Sequence, residues 1–449
     1  MVKQEYDVVI IGGVAAGTSA AASAKRGNKD LKIAIFQKEP YISYGGCGLP
    51  YVISGDVKSP EAVIALTPET FKEKKGADVF VNHEVYEVDF SNKILYVKSG
   101  DEEKEVSYKK LVISTGASPI IPDFKAWGEE GIFKLRNPDD AASILKFINE
   151  KSPETAIVIG GGFIGVETAE ALKSHGIEIT IIEGMDHLLG SIEPEIHEEF
   201  KTAIESKGVK LVFNTFAKDI IKENGKFKVL TDENTYEADM VIVSIGVRPN
   251  TAFLQGKGLE MAKNGAIIVN NKMETNIKDV YSAGDCATVN HFITNENVYI
   301  PLGTTANKQG RIAGKNISGG NDSFIGVVGS LITKFEDIEY AKTGLTLKEA
   351  LEKGFDAEAV VIKSGSKAHY YKGSKKILMK LVFEKKTGRI LGAQFVGGEI
   401  HPRLNAITSL IYNNGTVDML RNMDLAYSPP FSPVWDIDLV AATQAMKKI

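Results

Sequence analysis

Cys47 stands between glycines in the stretch Tyr41-Ile-Ser-Tyr-Gly-Gly-Cys-Gly-Leu-Pro-Tyr51, just downstream of a glycine-rich turn of the nucleotide-binding kind. A sulfur so placed points to redox or nucleophilic work beside a cofactor. The thiolate is the reactive form of cysteine, and a helix N-terminus or nearby positive groups lower the thiol pKa enough to populate it. Gly45, Gly46 and Gly48 let backbone and ligand approach closely. The competing reading is a small buried hydrophobe, the commoner fate of a free cysteine.

Two glycine turns frame the positions where nucleotides would sit. Val8–Ile11 is a short β-branched run of the kind found in buried parallel strands. It enters Gly12-Gly-Val-Ala-Ala-Gly17, and an alanine-rich helical stretch follows to Arg26. Strand, turn and helix in this order set a dinucleotide pyrophosphate on a helix N-terminus, with Gly12, Ala15, Ala16 and Gly17 lining the turn. The middle glycine of the G-x-G-x-x-G pattern is replaced by Val14. After the second strand, Leu31–Phe36, Gln37 and Lys38 occupy the place of the usual ribose-binding acid, and Glu39 follows. Gln37 still offers an amide oxygen as acceptor.

The second turn, Gly160-Gly-Gly-Phe-Ile-Gly165, carries the complete fingerprint at Gly160, Gly162 and Gly165, between the strand Ala156–Ile159 and a helix to His175. Glu183 closes the next strand close to the expected ~20 residues on. Its carboxylate can accept from both ribose hydroxyls and would repel a 2′-phosphate, which favours NADH over NADPH. Two sites in one chain suggest that one nucleotide brings electrons in and a tightly held flavin passes them on. Leu111–Pro119 and Val241–Pro249 resemble each other and end strands at Thr115, Gly116 and Gly246 on the cofactor edge. In Val280–Ala287, Asp285 follows Gly284, where its carboxylate can reach a ribityl hydroxyl; Cys286 reads as a packed small residue.

The chain has 449 residues, 25% charged and 43% hydrophobic, and a net charge of −5. That length predicts several cores, and that balance predicts an ordinary globular protein. No basic stripe supports nucleic-acid binding. Two cysteines far apart in sequence make a disulfide scaffold unexpected. No apolar run reaches the roughly 18 residues of a membrane span. Met1–Asp7 leads straight towards a strand without a signal-peptide pattern, so the expected location is the cytoplasm and no membrane partner is expected. No metal-ligand cluster stands out.

Taken in order, these motifs resemble the pyridine nucleotide-disulfide oxidoreductases over almost the whole chain. The resemblance implies an α/β protein with two Rossmann-like domains, for FAD and NAD, and a C-terminal α+β dimerisation domain. The expected limits are 1–119 and 250–322 for FAD, 120–249 for NAD and 323–449 for dimerisation, giving a homodimer. Ser43–Tyr51 is similar to the single-cysteine branch: coenzyme A-disulfide reductases, coenzyme A persulfide and polysulfide reductases, and NADH oxidases and peroxidases. Two-cysteine relatives would need a cysteine at position 52, where this chain has Val52.

By the same resemblance, Tyr427 and Tyr371 of the partner subunit would serve the active cysteine, with Tyr370 adjacent to the second. Arg26, Ser43 and Lys75 match coenzyme A contacts, although many coenzyme A-disulfide reductases carry Asn where this chain has Gly46. The leading expectation is an FAD enzyme that reduces coenzyme A disulfide, persulfide or polysulfide with NADH or NADPH, Cys47 resting as a mixed disulfide with coenzyme A. The alternatives are an NADH oxidase working through a cysteine sulfenic acid and a non-enzymatic flavin redox sensor. In the C-terminal third, Phe324–Thr333 and a hairpin turning near Thr387–Gly388 read as strands, Asn405–Asn413 as a helix, and His401-Pro402 as a helix start.

Overall fold

The computed structural model describes residues 4–449; Met1–Lys3, the first residues of the segment read as leading into a strand, lie outside the described residues. The first unit grows from β1 (Gln4–Ile11), whose Val8–Ile11 run is buried. It continues through α1 (Ala15–Gly27), β2 (Ile33–Phe36), α2 (Leu49–Ser54), α3 (Pro68–Lys75), β3 (Asp78–Phe80), β4 (Glu84–Asp89), β5 (Ile94–Ser99) and β6 (Glu102–Ile113). The sheet order is β3-β2-β1-β6-β5-β4, parallel from β3 to β6 and antiparallel beyond. Val8–Ile11 of β1 is buried because strands flank it on both sides and helices cover the faces, which is why it reads as a continuous apolar run.

After β7 (Ala117–Pro119) the chain builds a second unit from β8 (Ile132–Phe133), α4 (Pro138–Lys151), β9 (Thr155–Ile159), α5 (Phe163–Lys173), β10 (Glu178–Ile182), α6 (Pro194–Ser206) and β11 (Lys210–Val212). An antiparallel trio follows, β12 (Asp219–Glu223), β13 (Lys226–Leu230) and β14 (Thr235–Ala238), and then β15 (Met240–Val243). The parallel sheet runs β11-β10-β9-β15-β8. β16 (Val247–Pro249) pairs antiparallel with β7, so the two look-alike passages of the sequence meet each other in one crossover ribbon.

The return brings β17 (Val280–Ser282) parallel to β6, then the short pair β18 (Val289–Asn290) and β19 (Asn297–Val298), then α7 (Gly303–Ile317). α7 packs tightly on α1. A Cβ at Gly310 would lie 2.2 Å from Ala16 O and one at Gly314 2.1 Å from Ala20 O, so small residues on both helices are what permit the approach.

The last unit is antiparallel, ordered β20-β21-β24-β23-β22: β20 (Leu331–Phe335), β21 (Ile338–Gly344), α8 (Leu347–Glu352), β22 (Ala357–Gly365), β23 (Lys376–Glu384) and β24 (Ile390–Gly397). α9 (His401–Tyr412), α10 (Val417–Arg421) and α11 (Ile437–Ala445) complete it, α9 and α11 packing on the sheet. The hairpin of β23 and β24 turns through Gly388 as expected, and Pro402 lies in the first turn of α9. Phe324–Thr333, expected as strand throughout, is not one strand. Only Leu331 onward is strand, because Gly326 (φ 103°) and Gly329 (φ 66°) take left-handed backbone that breaks the extended run.

Candidate active site

The two glycine turns are built alike. Gly13 N donates to Gln37 Oε1 at 2.7 Å in the first, and Gly161 N donates to Glu183 Oε2 at 2.6 Å in the second. Gly17 and Gly165 each press on their turn, with an added Cβ 1.9 Å from Gly12 O and 2.0 Å from Gly160 O. Neither α1 nor α5 has a side-chain N-cap or an acid in its first turn, so their leading N–H groups face the ligand side. Gln37 also donates to Glu39 Oε2 at 3.3 Å, which ties the displaced acid to the place where the fingerprint expects one. Lys38 is drawn into an exposed ion pair with Glu84 at 2.8 Å. Glu183 Oε1 accepts from Met185 N at 2.8 Å.

Cys47 lies exposed on a short 3-10 turn, Gly46–Gly48, that runs into α2. The expected lowering of its pKa is overturned. Desolvation by the surrounding elements raises it most, and repulsion from Glu167 and then Asp285 adds to this; a backbone hydrogen bond pulls the other way without reversing it. Cys286 is buried among Ile113 O, Ala283 O and Ser282 Oγ, a packed residue as expected.

The return segment brings Asp285 within electrostatic reach of Cys47, while Thr115 and Gly116 of the crossover lie against Cys286. Asn250 Nδ2 donates to Thr115 O at 3.0 Å, and Gly284 N donates to Gln309 Oε1 at 2.8 Å. Gly116 and Gly246 both take positive φ, 66° and 113°. Burial raises the Asp285 carboxyl while Arg136 pulls it down. Arg136 was not singled out by the sequence. It donates to Tyr44 OH at 3.1 Å, and its Nη2 would lie 3.5 Å from a Cβ at Gly116. Only the fold brings position 136 to that place.

Arg26, Ser43 and Lys75 come together as expected, in a cavity of about 370 Å³ that Asn307, Lys308 and Arg311 of α7 also line. Arg26 ends α1, and Lys75 ends α3, which is started by Thr67 accepting from Thr70 N at 3.3 Å. Cations in a last turn suit the helix dipole. Arg26, Lys75, Lys308 and Arg311 have no ion-pair partner among the described residues, whereas Lys72 is bound to Asp78 at 2.9 Å. The α7 residues were missed, although Asn307 and Arg311 one turn apart were a legible signal.

Tyr427 OH lies 3.3 Å from Tyr370 OH, so the hydroxyl that meets Tyr427 is Tyr370's. Tyr371 donates its backbone N–H to Ala368 O at 2.8 Å.

A family model described as pyridine nucleotide-disulphide oxidoreductase matches residues 6–310, and the dimerisation domain of the same family matches residues 331–437. The chain belongs to the pyridine nucleotide-disulphide oxidoreductases. It is 38% identical to an NAD(P)H sulfur oxidoreductase (CoA-dependent) of Pyrococcus abyssi, over 100% of this chain and 99% of that one. It is 30% identical to a coenzyme A disulfide reductase of Staphylococcus aureus, over 96% and 97%. A solved NAD-dependent persulfide reductase from A. fulgidus superposes with a TM-score of 0.94 at 36% identity, covering 98% of this chain and 83% of that one.

Enzymes of this family work with FAD and NAD(P)H. The residues present fit both. Arg136 Nε is buried without a partner among the described residues, next to the Gly116 turn, and α1 and α5 both start without a side-chain cap. Orphaned donors of that kind fit a polar ligand. Among the described residues no helix is long and apolar enough to cross a membrane.

Proposed function

We propose that this oxidoreductase reduces coenzyme A disulfide, coenzyme A persulfide or polysulfide with NAD(P)H, through Cys47 alone. The observation that carries the reading is the cavity walled by Arg26, Lys75, Lys308 and Arg311, without partners among the described residues, and by Ser43 on the Cys47 loop. A polyphosphorylated thiol carrier needs such a surface. In this reading residues 1–119 and 250–322 hold FAD, 120–249 hold NAD(P)H, and 323–449 pair two copies as a cytoplasmic homodimer. Gly12, Ala15, Ala16, Gly17, Gln37, Lys38, Thr115, Gly116, Gly284 and Asp285 belong to the FAD site; Gly160, Gly162, Gly165, Glu183 and Gly246 belong to the NAD(P)H site.

FAD supplies two-electron transfer from NAD(P)H to sulfur when bound. Two electrons and one proton delivered to the Cys47–coenzyme A disulfide leave the Cys47 thiolate and coenzyme A thiol. The thiolate then attacks one sulfur of the acceptor disulfide, displacing the other as thiolate and restoring the mixed disulfide. Tyr427 of the partner subunit, whose hydroxyl meets that of Tyr370 within its own chain, donates the proton to the departing sulfur. Glu167 and Asp285 disfavour a resting thiolate, whereas a disulfide-held sulfur carries no charge for them to repel. Tight positioning of the anionic carrier falls to Arg26, Ser43 and Lys75.

The test is anaerobic NADH turnover with coenzyme A disulfide, with polysulfide and without acceptor, then in air. Turnover confined to sulfur acceptors and lost in Cys47→Ser is expected, with a coenzyme A adduct on Cys47 in the mass of unreduced protein. Oxygen consumption that needs no sulfur acceptor and survives Cys47→Ser would instead make the chain an oxidase.

A further inference from the structure

Four of the five large apolar side chains left open to solvent in the second unit gather at one edge; the fifth, Trp127, lies between β7 and β8. Ile164, Met185, Phe216 and Ile245 are exposed, and they follow the carboxyl ends of β9, β10, β11 and β15. Open parallel sheets bind their ligands along that edge. The sheet order spreads these side chains across it, Phe216 and Met185 on the side of β11 and β10, Ile164 and Ile245 on the side of β9 and β15.

Phe216 is 62% exposed, an unusual position for a phenylalanine. Its ring lies against the backbone of Gly184, where a Cβ would come 2.3 Å from Phe216 Cε1. Gly184 directly follows Glu183, the acid placed to take the ribose hydroxyls. Two backbone bonds hold the loop there: Thr215 N donates to Glu183 O at 3.0 Å, and Asn214 N donates to Met185 O at 2.9 Å. Asn214 itself takes left-handed backbone, φ 53°, which turns the chain after β11. An open aromatic face is thereby fixed one residue from the ribose acid.

We propose that Phe216 stacks on the adenine of NAD(P)H, with Met185, 54% exposed, as the second apolar contact. The proposal rests on reading the second glycine turn as the NAD(P)H site. A base joined to a ribose at Glu183 has to lie beside Gly184, and the face of a purine carries no charge for the carboxylate or the turn to hold. An aromatic ring is the partner that such a face takes. Ile164 and Ile245, beside the glycine turn and the crossover, are left for the nicotinamide end.

Phe216→Ala and Phe216→Tyr in the FAD-loaded enzyme test this. Calorimetric titration with ADP-ribose is expected to show about tenfold weaker binding for the alanine variant and near-native binding for the tyrosine variant. The KM for NADH should rise by a similar factor with kcat unchanged, while the KM for reduced nicotinamide mononucleotide, which lacks adenine, stays the same. Equal losses with both donors, or an unaltered ADP-ribose affinity in Phe216→Ala, would overturn the assignment. If the native enzyme turned over the mononucleotide yet bound no ADP-ribose, the nucleotide reading of the second turn would fall, and the role of Phe216 with it.

Discussion

Removing Arg311 tests the coenzyme A reading at its most exposed joint. The side chain lines the cavity with Arg26 and Lys75, is solvent-exposed, and makes no ion pair among the described residues, so Arg311→Gln leaves no buried charge unpaired. The fold should therefore be indifferent, with the thermal midpoint unmoved. Two unit charges about 4 Å apart attract by about 1 kcal/mol in bulk water and about 4 kcal/mol near a protein surface. Desolvation and salt leave roughly 1–2 kcal/mol for one charge-assisted contact to phosphate, or about tenfold in KM for coenzyme A disulfide. Combining Arg311→Gln with Lys75→Gln should approach a hundredfold if the contacts add. The assay is anaerobic NADH oxidation at two ionic strengths. Added salt should raise the native KM more than the variant's, since screening removes an attraction the variant has already lost. Polysulfide, which carries no phosphates, should be nearly insensitive to either change. A loss shared equally by both acceptors, or an unchanged KM for coenzyme A disulfide, would refute the assignment of the cavity.

Tyr427→Phe and Tyr370→Phe should each lower turnover with sulfur acceptors by tenfold or more while NADH still reduces the flavin at the native rate in stopped flow, and Tyr371→Phe should be nearly silent. Gly310→Ala forces a methyl to 2.2 Å from Ala16 O; a loss of about 1–3 kcal/mol in thermal unfolding is expected, accompanied by easier release of FAD, and a native midpoint would mean that α1 and α7 can separate at little cost. Asp438 is buried beside Asp436, which Arg403 holds at 2.8 Å, and burial raises its carboxyl well above the ordinary 3.8. The unfolded chain then releases this proton near pH 4 while the folded one keeps it, so the group's contribution to stability falls as pH rises above about 4 and levels off past the folded pKa. Asp438→Asn should flatten that part of the profile and stabilise the protein at pH 7; a steeper profile would contradict the direction of the shift.

Local chemistry was readable in the linear order of residues. Val8–Ile11 with Gly12 to Gly17, and Ala156–Ile159 with Gly160 to Gly165, declare strand, turn and helix because tight backbone approach tolerates few residue types. The lone cysteine at position 47 and the charges ending α1 and α3 were equally visible, since each depends on neighbours within a turn or two. What required the folded chain was every meeting between distant segments. Arg136 reaches Tyr44 and the Gly116 turn, α7 lays Lys308 and Arg311 beside Arg26 and Lys75, and Tyr370 rather than Tyr371 meets Tyr427. The thiol shift has the same origin: a helix start is written next to the cysteine, but the burial that raises its pKa most, and the carboxylates of Glu167 and Asp285 that add to it, come only through packing. Backbone conformation is governed by near neighbours, whereas electrostatic environment is summed over whatever the fold brings within a few ångströms.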